Sequence, residues 1–135
     1  MTSVSLGYTI FYVDDVGETV RFFTTAFGLE QRFVTPENDY GEVETGATTL
    51  AFVSIELARA NLDDAGGFVL PDAMQPSATS ITLLTSDVAT TVAAANAAGA
   101  RTYVAPAHKP WGQTVAYVLG PSNLLIEIAT PVSPP

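Results

Sequence analysis

The sequence predicts an α+β fold of two tandem βαβββ modules, each a mixed sheet with a helix on its outer face. One observation is an internal repeat: Asp15-Val16-Gly17-Glu18-Thr19-Val20 recurs as Asp87-Val88-Ala89-Thr90-Thr91-Val92, with Asp, Val, Thr and Val kept, and Gly28 is answered by Gly99. A second is that each copy sits between a run rich in β-branched and aromatic residues and a stretch of helical spacing. The third is that three shorter strand-like runs follow each helix. Repeats of this kind set architecture before local detail does.

The elements follow in order. Residues 6–13 form the first strand. Val16, Val20, Phe23 and Phe27 then fall at i, i+4, i+7 and i+11, one stripe of a 3.6-residue period, and Asp15 with Glu18 has the spacing of an N-cap and its reciprocal partner. Gly28 stands where helices commonly stop. Strands over 31–35, 40–45 and 48–54 complete the first copy, with Thr45-Gly46-Ala47 as turn chemistry, and 55–62 reads as a short helix. Gly66, Gly67, Pro71 and Pro76 mark a linker over 63–77. The second copy repeats the plan with a strand over 78–85, a helix carrying Val88, Val92 and Ala95, and strands over 101–105, 113–119 and 124–129. The expected modules are therefore 1–62 and 78–135, joined by the linker into one compact domain with a shared core, an ordinary size for 135 residues.

Composition narrows the function. Apolar residues make up 47% and charged residues 14%, enough for a core and against intrinsic disorder. A net charge of −9 repels phosphate backbones and anionic lipid, so neither nucleic acid nor membrane is an expected partner. The same field attracts cations, although an acidic surface also serves solubility alone. Without cysteine there are no disulfides, thiolate chemistry or zinc–sulfur sites. The start, Met1-Thr2-Ser3-Val4, lacks the basic-then-apolar pattern of an export signal, and a cytoplasmic location is expected.

Several motifs together resemble the vicinal oxygen chelate superfamily of glyoxalases, bleomycin-resistance proteins and extradiol dioxygenases. They are Tyr12-Val13-Asp14-Asp15-Val16 leading into Arg21-Phe22-Phe23 and Phe27-Gly28-Leu29, then Thr49-Leu50-Ala51-Phe52, Pro110-Trp111-Gly112-Gln113, and Gly120-Pro121-Ser122-Asn123 running into Leu124-Leu125-Ile126-Glu127-Ile128. The resemblance implies sheets curled into half-cups, paired modules enclosing a site, and a homodimer. Its metal enzymes carry ligands on the first and last strands of each module. The matching positions here are Tyr8 and Ser80, seven residues before each capping aspartate, with Glu127 and, by hairpin alignment, Phe52 on the last strands. One carboxylate among a phenyl, a phenol and an alcohol holds a divalent ion poorly, so neither metal nor other cofactor is expected and the resemblance is closest to the metal-free bleomycin-resistance branch. One departure is Gly120-Pro121-Ser122 where the family more usually has Asp-Pro-Xaa-Gly.

Strand alternation turns Tyr8, Ile10 and Tyr12, then Ser80, Thr82 and Leu84, and then Leu125, Glu127 and Ala129, to the ligand side. Glu127 among aliphatic neighbours needs hydrogen bonds to offset desolvation. It reads either as a ligand anchor or general base with a raised pKa, its partner a hydroxyl from Tyr8 or Ser80, or as an ancestral metal ligand now held internally. Trp111 offers a flat surface for stacking and, with Tyr8 and Tyr12, for cations, or it orders its loop by packing. His108 reads as a solvated loop residue. Glu42 and Glu44 read as a solvated strand face. The candidate ligand-binding set is Tyr8, Tyr12, Phe52, Ser80, Trp111 and Glu127, for a small planar or cationic organic molecule. The alternatives are a lyase or isomerase using Glu127 as base, a metal enzyme with unfamiliar ligands, and an interaction module with a vestigial cup.

Overall fold

In a computed structural model, the chain divides into two compact units, Met1–Phe68 and Val69–Pro135. Residues 2–63 and 65–132 are described; Met1, Asp64 and 133–135, which belong to the expected first module, linker and second module respectively, lie outside the described residues.

The first unit contains β1 (Tyr8–Val13), α1 (Val16–Phe27), β2 (Gln31–Val34), β3 (Tyr40–Val43), β4 (Thr49–Ser54) and α2 (Ile55–Asn61). Its sheet has the order β1-β4-β3-β2, with β1 parallel to β4 and the other pairs antiparallel. The second unit contains β5 (Ile81–Leu84), α3 (Val88–Ala97), β6 (Arg101–His108), β7 (Thr114–Leu119) and β8 (Leu125–Ala129). Its order, β5-β8-β7-β6, again sets the first strand parallel to the last. The α+β reading with two tandem βαβββ modules and mixed sheets therefore holds. The main difference in extent is β6, which runs on through His108 and pairs it with Thr114, so this histidine ends a strand instead of sitting in a loop.

The repeated aspartates start both helices. Asp15 Oδ1 accepts from the Glu18 amide at 3.0 Å and Asp87 Oδ1 from the Thr90 amide at 3.0 Å. These backbone donations hold both carboxyls below the ordinary range, reinforced at Asp15 by Asn38 and at Asp87 by the Thr90 hydroxyl. Asn38 also accepts from the Gly17 amide at 2.8 Å, which ties the β2–β3 turn to the start of α1. At the far end Gly28 adopts φ 71°, a left-handed conformation that glycine takes without a Cβ penalty. Two further left-handed positions lie between β7 and β8, Ser122 at φ 56° and Asn123 at φ 58° where the family more usually has glycine. Asparagine tolerates this region, which accounts for the turn closing without the family's usual glycine.

The stripe read from the sequence is the buried face of α1: Val16, Val20 and Phe23 are fully buried against a sheet face bearing Val13 and Phe52. Gly41 on β3 lets this helix approach closely, because a Cβ there would lie 2.9 Å from Val16 Cγ1 and 3.1 Å from Val20 Cγ2. Gly41→Ala is therefore expected to destabilise the protein by about 1–3 kcal/mol through overpacking, measured by urea unfolding. An unchanged midpoint would show that the helix yields freely. In the second unit Val88, Val92 and Ala95 of α3 are buried, as are Ile126 and Ile128 on β8.

Candidate functional site

Of the candidate residues, Tyr8, Tyr12 and Glu127 stand on strands, on the side of their sheets away from the helix-packed core. In the second module, alternation along β8 buries Ile126 and Ile128 completely and turns Leu125 and Glu127 to the other face. Register then sets Thr82 of β5 and Tyr117 of β7 on either side of Glu127. Thr82 Oγ1 donates to Glu127 Oε1 at 2.7 Å, and the Tyr117 hydroxyl donates to Oε2 at 2.7 Å. The carboxylate is thus fixed in one orientation and remains half-buried. These two hydroxyls take the role expected of Tyr8 or Ser80. Ser80 is exposed just before β5, and Leu84 beyond Thr82 is 62% exposed.

The loop between β6 and β7 turns at Lys109–Gly112, closed by the Gly112 amide on the Lys109 carbonyl at 2.9 Å. Trp111 lies at its tip, 63% exposed, with its indole N–H donating to Gln113 Oε1 at 2.7 Å. An indole this exposed is not the packed loop anchor of the plainer reading.

In the first module Tyr8 and Ile10 are 56% and 43% exposed. Tyr12 lies on the same face under the ring of Phe68, 4.9 Å between centroids, and Arg59 covers Phe68 at 5.7 Å. Phe52 does not join them. It is fully buried and stacks on Phe23 of α1 at 5.2 Å. The parallel registers explain the error. Ile10 pairs with Ala51 as Thr82 pairs with Glu127, so Ala51 is the counterpart of Glu127, and a one-residue slip carries a side chain to the opposite face.

The sequence reading also misplaced Glu42, which is buried instead of solvated. Tyr40 donates to its Oε2 at 2.6 Å, and Arg32 Nη1 lies 3.2 Å from its Oε1. Arg32 further bonds Glu44 Oε2 through Nε at 2.7 Å and the Thr49 hydroxyl through Nη1 at 2.7 Å. A bulge between Gln31 and Phe33 turns Arg32 to this face beside Phe33, whose ring meets Tyr40 at 5.8 Å. Each module thus pairs a carboxylate with a phenol, Glu42 with Tyr40 and Glu127 with Tyr117. Tyr117 was missed, although its register opposite Glu127 follows from counting outward from the Gly120–Leu124 turn. The first module also has an open cleft of ≈ 490 Å³ lined by Asp14, Glu37, Asp39 and Glu56 with Asn38, Ser54 and Leu57.

Burial first, and then the bond to Glu42, push the Tyr40 phenol well above its ordinary value of 10; the bond to Glu127 first, and then burial, raise that of Tyr117. Both shifts favour the protonated phenol in the folded state, so their stabilisation is complete below pH 10 and is lost as pH rises beyond it. Unfolding midpoints are expected to fall above about pH 10 and to fall less steeply in a Tyr40→Phe, Tyr117→Phe double variant. Parallel curves for the two proteins would refute this.

The superfamily that the sequence resembles includes metal enzymes, and the donors here do not fit a metal ion. The four positions offer a phenol, an alcohol, the Ala51 methyl and one carboxylate whose two oxygens already accept hydrogen bonds. Among the described residues, no three of His, Cys, Asp or Glu are grouped so as to hold an ion. Nor is any described helix long and apolar enough to cross a membrane.

Two tandem βαβββ modules, each a four-stranded mixed sheet with its first strand parallel to its last, define a protein of the glyoxalase fold. The model of the Glyoxalase/Bleomycin resistance protein/Dioxygenase superfamily matches residues 5–128, and the chain belongs to this superfamily. A glyoxalase-related enzyme from Fulvimarina pelagi is similar with a TM-score of 0.78 at 19% identity, over 94% of this chain and 88% of that one. A family enzyme from Burkholderia phytofirmans PsJN gives 0.75 at 20% identity over 94% and 98%. Lactoylglutathione lyase from Agrobacterium tumefaciens gives 0.67 at 17% identity over 96% and 95%. These likenesses concern the fold. A search of curated sequences gave no match.

Proposed function

We propose that this protein is a metal-independent binder of a small planar or cationic organic molecule, of the kind through which the bleomycin-resistance branch sequesters a drug. The observation that carries the reading is the Glu127 carboxylate, immobilised by Thr82 and Tyr117 on a sheet face that also carries Leu125. A fixed, half-buried carboxylate presents its remaining lone pairs to a ligand N–H at little reorganisation cost. Trp111 supplies a flat exposed surface in the same module, and the net charge of −9 favours a cation. In the first module Tyr8 adds a phenol to its own exposed face, and Tyr12 an aromatic edge beside Phe68. The reading includes a cytoplasmic homodimer.

Native mass spectrometry of protein purified from source extract tests it. The expected result is a dimer carrying a small organic mass that is lost in Trp111→Ala, with no stoichiometric transition metal by elemental analysis. A metal bonded to Glu127 would overturn the proposal. A second reading, a lyase or isomerase with Glu127 as base, draws on the 2.7 Å Tyr117 contact, which gives the carboxylate a proton-bearing neighbour. Turnover of the co-purified compound, abolished in Glu127→Gln, would favour that reading over sequestration.

A further inference from the structure

We infer that Gln113 is a positioning residue that holds the Trp111 indole in one orientation, so that the loop recognises flat π-systems by stacking and not hydrogen-bond acceptors. The inference rests on the ligand-facing role proposed for Trp111 and adds what sets its orientation and selectivity.

A ring 63% exposed at the tip of a turn has little packing to fix it. Gln113 supplies the constraint from both ends of its amide. Its Oε1 accepts the indole N–H at 2.7 Å, while its Nε2 donates to the Thr130 carbonyl at 2.7 Å. Thr130 is in turn part of the sheet end, because its hydroxyl accepts from the Thr114 amide at 3.0 Å and its own amide donates to the Thr114 carbonyl at 3.0 Å. The Gln113 carbonyl accepts from the Lys109 amide at 2.7 Å and closes the loop's base. Indole, amide and sheet therefore form one continuous chain.

Two consequences follow. The only donor of the indole is already engaged, so an incoming acceptor gains nothing from it, whereas the ring surface stays available. The tether ends on the chain that runs on from β8, three residues beyond Glu127, about 10 Å along an extended strand. A ring surface at Trp111 and a carboxylate at Glu127 in the same module suit a flat cation.

Trp111 is the only tryptophan, so emission excited away from tyrosine reports on it alone. Time-resolved anisotropy of the full chain, with circular dichroism as the folding check, compares wild type with Gln113→Leu and Gln113→Glu. Gln113→Leu removes both bonds, while Gln113→Glu keeps an acceptor for the indole and loses the donation to Thr130. Fast local motion of the indole is expected to increase strongly in Gln113→Leu and to an intermediate degree in Gln113→Glu. Ethidium, a planar cation, serves as the binding probe, and its affinity should fall roughly tenfold in Gln113→Leu, the equivalent of one lost orienting bond. Unchanged indole motion in both folded variants would overturn the inference. If motion increases but Trp111→Ala binds ethidium as wild type does, the tether is real and the ligand-facing role, with the selectivity argued from it, is wrong. If Gln113→Leu does not fold, the motion in Gln113→Glu decides: an increase supports the tether and wild-type values refute it.

Discussion

Phe52→Ala is expected to destabilise the first module by about 3–5 kcal/mol, the range for deleting a buried phenyl ring where the surroundings cannot collapse. The ring is fully buried and stacks on Phe23 at 5.2 Å, and Phe23 in turn meets Phe22 at 5.4 Å and Phe27 at 5.7 Å. Removing it opens a cavity between β4 and α1, where the valines facing Gly41 already leave less room than a methyl group needs. Because the chain forms two compact units, amide exchange of first-module residues is the appropriate measurement; a single unfolding midpoint can mix the two. Ethidium affinity at a temperature where the variant stays folded should not change. A loss of binding with stability altered by less than about 1 kcal/mol would return Phe52 to the ligand face and invalidate the register argument.

The same residue shows how far the sequence could be read. The repeat, the helical stripe and the aspartate caps are local signals, since each depends on spacing within a dozen residues, and they located both modules. Facing on a strand depends on register, which is a non-local property. Hairpin alignment of the two halves slipped by one residue because the last pairs differ, Val43 with Leu50 enclosing six residues and Leu119 with Leu125 enclosing five, so Phe52 was taken for Ala51. The bulge at Arg32 left no mark in composition, and without it Glu42 reads as a solvated alternating position. Glu127 was legible because a carboxylate amid Leu125, Ile126 and Ile128 conflicts with its surroundings. Of its partners, Tyr117 could have been found by counting outward from the Gly120–Leu124 turn, whereas the pairing of Thr82 with Glu127 depends on the register of a parallel strand distant in sequence.

Glu127→Gln is expected to weaken ethidium binding by tenfold or more while leaving the fold intact. A hydrogen bond to a charged group is worth about 1.5–3 kcal/mol, against about 1 for a neutral one, and each 1.4 kcal/mol is a factor of ten in affinity. The isosteric amide fits the same space, but only its oxygen can accept from Thr82 or Tyr117, so one hydroxyl must turn elsewhere. That gives the variant a signature independent of binding. The bond to Glu127 is the largest cause of the raised Tyr117 phenol, so the titration of Tyr117, followed by tyrosinate absorbance in a Tyr40→Phe background, should move down towards 10. Glu127→Ala should move it the same way and, by leaving a half-buried phenol without its acceptor, cost about 1–3 kcal/mol of stability. Unaltered ethidium affinity in Glu127→Gln, alongside the displaced Tyr117 titration, would mean that the carboxylate serves only its two neighbours. The clamp seen in the second module would then be a structural device like the Glu42–Tyr40 pair in the first, and the ligand would have to be sought away from it.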